Sequence, residues 1–487
     1  MTGHASFAEL EGRVDPFLLR RMSKQDAGFA LRTLDPVPTW NRFDLGFKLL
    51  WLDARMGARS QFAERIYQDH IAAFSLADMA EPGNPDKQGI ARFRSDFAGL
   101  LQDMRAHGFD ASKSLVPLAG DGSLLNAGHR SAVALALGKP VTAVETGLDP
   151  VHFDYDFFAR RGMAQSDLDA AAVRMVEAMP DVAVALLWPA ARGREREAAR
   201  LMGPLVYRRS LQLSLKAGHL LLSRVYRDEP WLGPAEENFP GIRRKLMACF
   251  NGPDPLRVLI FDAPTRRDRV ALKAEVRRLY GIDKSSIHIT DTQAEAVEIA
   301  HLLLNPAARH FLSHGDPMAF AETRHNIASL QAYMKGNALG PASLAVDTGM
   351  VLGLYGLRPP SDVDVIADGV LPSGPIEHHD TNGHDAAFGD LIQDPALHFR
   401  YDGITWLSLA EVAALKSRRL AGQDREDLLR IKPLLASPSD TAEGRLVSLR
   451  FQFALLRLRR RVIRGLMALG IGRPLRRVYR HFLRKSP

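Results

Sequence analysis

From Asp347 the chain runs Asp347-Thr-Gly349-Met-Val-Leu-Gly353-Leu-Tyr-Gly356-Leu-Arg358-Pro-Pro-Ser361-Asp362-Val-Asp364-Val-Ile366, and no other segment constrains the fold as tightly. Asp362 and Asp364 alternate with Val363, Val365 and Ile366, residues that are apolar and β-branched. Such a run predicts a strand whose apolar side is buried. Residues two apart on a strand share a face, so the two carboxylates are expected on one side, about 6–7 Å apart along the chain. That spacing suits a divalent cation shared with a nucleotide's phosphates, because hard cations take oxygen ligands and keep water and phosphate oxygens in their shell. Gly349, upstream, lets the backbone of a turn come close to such a ligand.

Downstream, Trp406-Leu-Ser408-Leu-Ala-Glu411 is followed by Lys416, Arg418, Arg419, Asp424 and Asp427. Over residues 345–435 this ordered set resembles the nucleotidyltransferase fold of the polymerase-β superfamily, including the helix pair of its small bacterial members. The resemblance implies Asp362 and Asp364 as catalytic ligands of Mg²⁺ (or Mn²⁺), and Gly349 and Ser361 beside a nucleoside triphosphate. It also implies Lys416 and Arg358 as cations that offset phosphate charge. A third carboxylate is expected from a later strand, with Glu377, Asp380, Asp385 and Asp402 all open as its source. The segment holding His378, His379 and His384 lacks the spacing and helical context of a zinc site. Contact with substrate phosphate is the expectation for these histidines.

A second unit is legible near residue 120. Ser114-Leu-Val-Pro-Leu118 predicts a strand, Ala119 to Gly122 a tight turn, and Ser123 to Asn126 a partner strand. Gly128-His129-Arg130 opens a helix that ends at Gly138-Lys-Pro140, before a strand from Val141 to Val144. Over residues 96–145 this is similar to the ParB/sulfiredoxin-like fold. The similarity implies binding of ATP, CTP or another phosphate-bearing group at the helix start. The local chemistry agrees: Gly128 allows close approach, a helix N-terminus attracts anions, and His129 and Arg130 supply donors.

Around these units the expected organisation is a mixed α/β chain. Residues 1–90 are expected to be helical, 91–150 to form the ParB-like unit, 151–330 a central α/β region and 331–440 the nucleotidyltransferase-like domain. Residues 441–487 are expected to be basic amphipathic helices. In the central region, strands at Asp181 to Leu187, Leu256 to Phe261 and Ser286 to Thr290 alternate with helices at Arg208 to Arg227, Arg266 to Tyr280 and Ala296 to Leu304. That alternation predicts an open, largely parallel sheet with Asp262, His288, Thr290 and Asp291 at its rim, in capping or ligand-binding roles.

The 487 residues carry a single cysteine, Cys249, which excludes an internal disulfide framework. Net charge is +8, yet 13 Lys and Arg with no acid fall between Arg445 and Lys485. Removing those 13 from 64 leaves 51 basic against 56 acidic residues, or −5 for the rest. A basic stretch carrying Leu449, Phe453, Leu456, Val462, Leu466 and Leu469 predicts association with an anionic membrane surface, with nucleic acid as the rival partner. No apolar run reaches the roughly 18 residues of a membrane span, and the first residues lack a signal-peptide layout. A cytoplasmic protein, peripheral at the inner membrane face, is expected.

The combination resembles uncharacterised bacterial proteins associated with surface polysaccharide or glycolipid modification. It implies Mg²⁺-dependent nucleotidyl transfer to a glycan, lipid-linked glycan or protein. Three alternatives stand beside it: a kinase using His129 and Arg130, a nucleotidyltransferase toxin acting on RNA or protein, and a scaffold that only binds nucleotide.

Overall fold

The computed structural model describes residues 2–436 apart from 23–27, 78, 82–83 and 264–265. The basic tail, with every expectation attached to it, lies outside the described residues. The chain is a mixed α/β protein with three larger sheets and one short hairpin. The strands are β1 Thr2–Ala5, β2 Phe29–Leu34, β3 Ala80–Glu81, β4 Asn84–Gln88, β5 Val116–Leu118, β6 Val141–Glu145, β7 Val182–Leu187, β8 Leu205–Leu211, β9 Leu256–Asp262, β10 Ile287–Ile289, β11 Ala345–Val346, β12 Asp364–Ile366, β13 Glu377–His379, β14 His398–Tyr401 and β15 Ile404–Leu407.

The first sheet has the order β1-β2-β6-β5. Its first two strands correct the expectation that residues 1–90 are helical. β1 pairs antiparallel with β2, and β2 with β6 from the stretch expected to be ParB-like, so the amino-terminal region completes that sheet. Phe29 and Ala5 bury beneath it with Leu115 and Val144. Helices Asp44–Met56 and Gln61–Ser75 lie behind, the first presenting Leu45, Phe47, Leu49, Trp51 and Leu52 to the main core.

The central sheet, β10-β7-β9-β8, is antiparallel at every pairing, which corrects the parallel expectation. β7 is buried on both faces. Val182, Val184 and Leu186 join the main core, while Ala183, Ala185 and Leu187 pack in a separate cluster on the other side. An uninterrupted apolar run fits this placement irrespective of strand direction. The expected Arg208 to Arg227 helix begins too early: Arg208 and Arg209 lie on β8, and the helix runs Leu215–Val225 after its Ser214 cap.

The third sheet runs β13-β12-β11-β15-β14. β11 is antiparallel to β12 and parallel to β15, while β12 and β13 are parallel. One apolar core runs from Phe43 to Ile431 and joins all three sheets. Among the described residues no helix is long and apolar enough to cross a membrane.

Candidate functional site

The D-x-D segment is only partly strand. Asp364 begins β12, whereas Asp362 lies in the bend before it, so the two are not successive members of one strand face. Asp364 is held on several sides. Its backbone carbonyl accepts from the Asp347 N–H at 3.0 Å, and its Oδ2 accepts from the Thr348 hydroxyl. Across the parallel β12–β13 pair its register partner is Glu377. Two residues further, on the same face of β13, the His379 Nε2 lies 3.0 Å from Asp364 Oδ1. One donor atom from each of Asp364, Glu377 and His379 lies within 4.8 Å of the others.

Of the four carboxylates open as the third acid, Glu377 is therefore the one brought to Asp364. Asp380 caps its own turn through the Asn382 N–H at 3.0 Å, Asp385 pairs with Arg418 at 2.5 Å, and Asp402 pairs with Arg224 at 2.7 Å. Asp362 makes no side-chain hydrogen bond or ion pair among the described residues. A Cβ on Gly349 would lie 3.6 Å from both Asp362 Oδ1 and Arg358 Nη2, so the turn glycine, Asp362 and Arg358 do converge. Ser361 is exposed beside them.

Lys416 is not available to a phosphate, which corrects its expected role. Its ammonium is buried, 2.8 Å from Asp424 and 2.9 Å from Asp427. Arg358 is also committed to Asp427, at 2.9 Å, although its guanidinium still borders Gly349. Burial alone would raise the Asp427 carboxyl, but hydrogen bonds and charge from Arg358 and Lys416 hold it below its ordinary value. The Asp-x-x-Asp pair thus anchors the two cations behind the turn.

His384 also departs from phosphate contact. It is buried between Asp347, 3.1 Å from its Nε2, and Glu411, 2.8 Å from its Nδ1. Burial opposes its charge, yet the hydrogen bonds and charges of the two acids outweigh that and push it up to about 9. The imidazolium donates on both sides and ties the loop after β13 to the cap of the Thr348–Leu354 helix. His378 is exposed and belongs to neither group.

The Gly128-His129-Arg130 unit has a different construction. Its helix, Gly128–Leu137, follows Ala127 in the left-handed region and has no side-chain cap. Gly128 rests on a buried ionic group: Arg42 Nε is 2.8 Å and Lys48 Nζ 2.6 Å from opposite oxygens of Asp44. A Cβ on Gly128 would meet Arg42 Nη2 at 2.5 Å, so this glycine makes room for the guanidinium. Two basic side chains share one acid, and burial pulls Lys48 below its ordinary value. The neighbouring histidines add no charge: burial pulls His70 down to about 3 and His129 well below its ordinary value. His129 points into an aromatic setting, its Nε2 3.0 Å from the Tyr67 hydroxyl and its ring edge-on to Phe97 at 4.6 Å. Arg130 is half-buried with no hydrogen bond or ion pair among the described residues. A cavity of about 80 Å³ is lined by Arg42, Lys48, Asn126, Gly128 and His129. The missed residues, Arg42, Asp44 and Lys48, left one signal: charges at helical spacing inside the apolar run around Phe43 to Leu52.

The central rim is bonded internally. His288 pairs with Glu295 at 2.7 Å, Thr290 accepts from the Val184 N–H at 3.0 Å, and Asp291 pairs with Lys273 at 2.7 Å. Asp262 stays exposed at the end of β9.

No known family model, curated protein or solved structure matches the chain.

Proposed function

We propose that the chain is a metal-dependent nucleotidyltransferase with its centre at Asp364, Glu377 and His379. The supporting observation is the convergence of two carboxylates and an imidazole within 4.8 Å, beside a turn whose glycine faces an unpartnered carboxylate. Carboxylate oxygens suit Mg²⁺ or Mn²⁺, and the imidazole is compatible with the softer of the two. Such a cation would offset charge developing on the transferred phosphate. Asp364 is oriented by Thr348, and Glu377 by its register on β13. Asp362 is the remaining carboxylate open to a second cation or to the acceptor's proton. The acceptor hydroxyl or phosphate bonds to the α-phosphorus as the bond to pyrophosphate breaks. A glycan, lipid-linked glycan or protein is the proposed acceptor, in the cytoplasm, with the tail at an anionic membrane face.

A second reading has its own support. Arg42 and Lys48 sharing one acid, with Arg130 making no ion pair among the described residues, favour a phosphate-bearing ligand at the Gly128 helix, because buried basic groups are stabilised by a counter-charge. It keeps the kinase alternative in view. Purified protein incubated with labelled nucleoside triphosphates and Mg²⁺ or Mn²⁺ tests both: pyrophosphate release marks nucleotidyl transfer, and nucleoside diphosphate marks a kinase. Inorganic phosphate that raises the melting temperature of the wild type but not of Arg130→Ala would locate an anion at the helix start.

A further inference from the structure

One further cleft belongs to neither site. It measures about 690 Å³ and lies where the Asp44–Met56 and Gln165–Ala178 helices meet β14 and the Phe388–Gln393 helix. Ser343 and Asp368 mark its rim at the far ends of β11 and β12 from Asp347 and Asp364. Each pair is four positions apart along the chain, across β11 or β12, about 13 Å at the 3.3 Å rise of an extended segment. A ligand here therefore lies apart from the carboxylate centre.

Apart from Asp368, exposed at the rim, the charged groups of the lining are paired two against two. Arg174 is held by Asp53 at 2.7 Å, and Glu177 accepts from His301 and from Arg400, each at 2.8 Å. An anionic ligand would have to take an arginine from its carboxylate, and a cation would have to do the converse. Three polar atoms are left over. Arg400 Nε and Gln393 Oε1 are buried without a partner. His398 is buried and pulled down to about 3, so its Nδ1–H donates to the Asp394 carbonyl at 2.8 Å and Nε2 remains an acceptor. Leu50, Val173, Leu304 and Phe388 supply an apolar wall beside them. Buried polar atoms are rarely left unpaired, and two hydroxyls, each donating one proton and able to accept another, satisfy one donor and two acceptors together.

We propose that this cleft binds an uncharged, polyhydroxylated ring, the chemistry shared by a neutral glycoside and the ribose of a nucleoside. Its hydroxyls would engage Arg400, Gln393 and His398, and its apolar face would lie on Leu50 and Val173. The volume suits a ligand of one or two rings.

The test uses the full chain with chelator and no triphosphate, so its result does not depend on chemistry at Asp364. Neutral mono- and disaccharides form one arm and nucleosides the other, with glucuronate and nucleoside monophosphates as charged counterparts, read by ligand-observed NMR and calorimetry. Saturable binding in one neutral arm is expected, weakened about tenfold by Gln393→Leu, the loss of one hydrogen bond to a buried partner. Ala170→Phe, which fills the cleft from a half-buried position, should remove binding while an unchanged melting temperature reports intact folding. Failure of both neutral arms at millimolar concentration would overturn the proposal, as would tighter binding of the charged counterparts or indifference to both variants.

Discussion

Glu377 stands opposite Asp364 as its register partner across the parallel β12–β13 pair, and His379, two residues on, reaches the same carboxylate at 3.0 Å. One strand therefore delivers both additional donors to the acid that opens the neighbouring strand. The spacing Glu377-x-His379 does for β13 what the D-x-D spacing was expected to do for β12. Around that pair, the cations and His384 serve to hold elements in place, which leads to distinct expectations for each.

Lys416→Ala should act on stability before it acts on chemistry. Removing the ammonium leaves Asp424 to Arg419 and Asp427 to Arg358, at a loss of about 1–3 kcal/mol for the missing charged hydrogen bonds. Urea denaturation monitored by circular dichroism should show the midpoint fall. An unchanged midpoint with lost nucleotide affinity would return Lys416 to a phosphate-binding role.

His384 sets a stability change in mildly alkaline solution. Its folded value of about 9 lies above the ordinary 6.5, so the folded protein binds its proton more tightly than the unfolded chain. That contribution is fully present below pH 6.5 and is lost as the pH rises through 9. His384→Gln should be less stable than wild type at pH 6 and show a flatter decline in melting temperature between pH 6.5 and 9. Parallel curves for the two proteins would contradict the clasp.

Gly128→Ala should destabilise the fold by about 1–3 kcal/mol through overpacking, because the new methyl meets the Arg42 guanidinium and the Asp44 carboxylate. Asp44→Asn should lower stability further, since Arg42 and Lys48 lose the one acid that pairs with them among the described residues. Thermal melts of the two variants compare these effects directly. Wild-type stability in Gly128→Ala would mean that the helix start is open, with no contact to Arg42.

Much of the local structure was readable from the chain. Arg266–Tyr280 has the expected bounds, because helix ends are set by nearby residues. β7 and β9 were legible as apolar runs, whereas their direction depends on which strands join them. β1 and β2 escaped notice because β2 pairs with β6, far along the chain, and short strands carry little local pattern. The same limit applies to the site. Residue type marks Lys416, Arg358 and His384 as capable of meeting phosphate, but not whether Asp424, Asp427, Asp347 or Glu411 reaches them first. Glu377 stood among four equivalent acids until the β12–β13 register separated it from the rest.

Metal binding and turnover in Asp364→Asn and Glu377→Gln test the central claim most directly. Each change keeps the side-chain shape and removes a negative charge from a pair that repels without a cation. Wild-type protein should bind Mn²⁺, seen by electron paramagnetic resonance, and release pyrophosphate from a nucleoside triphosphate. Both variants should stay folded while losing at least tenfold in Mn²⁺ affinity, about 1.4 kcal/mol, together with pyrophosphate release. Undiminished Mn²⁺ binding and pyrophosphate release in the two variants would contradict the assignment.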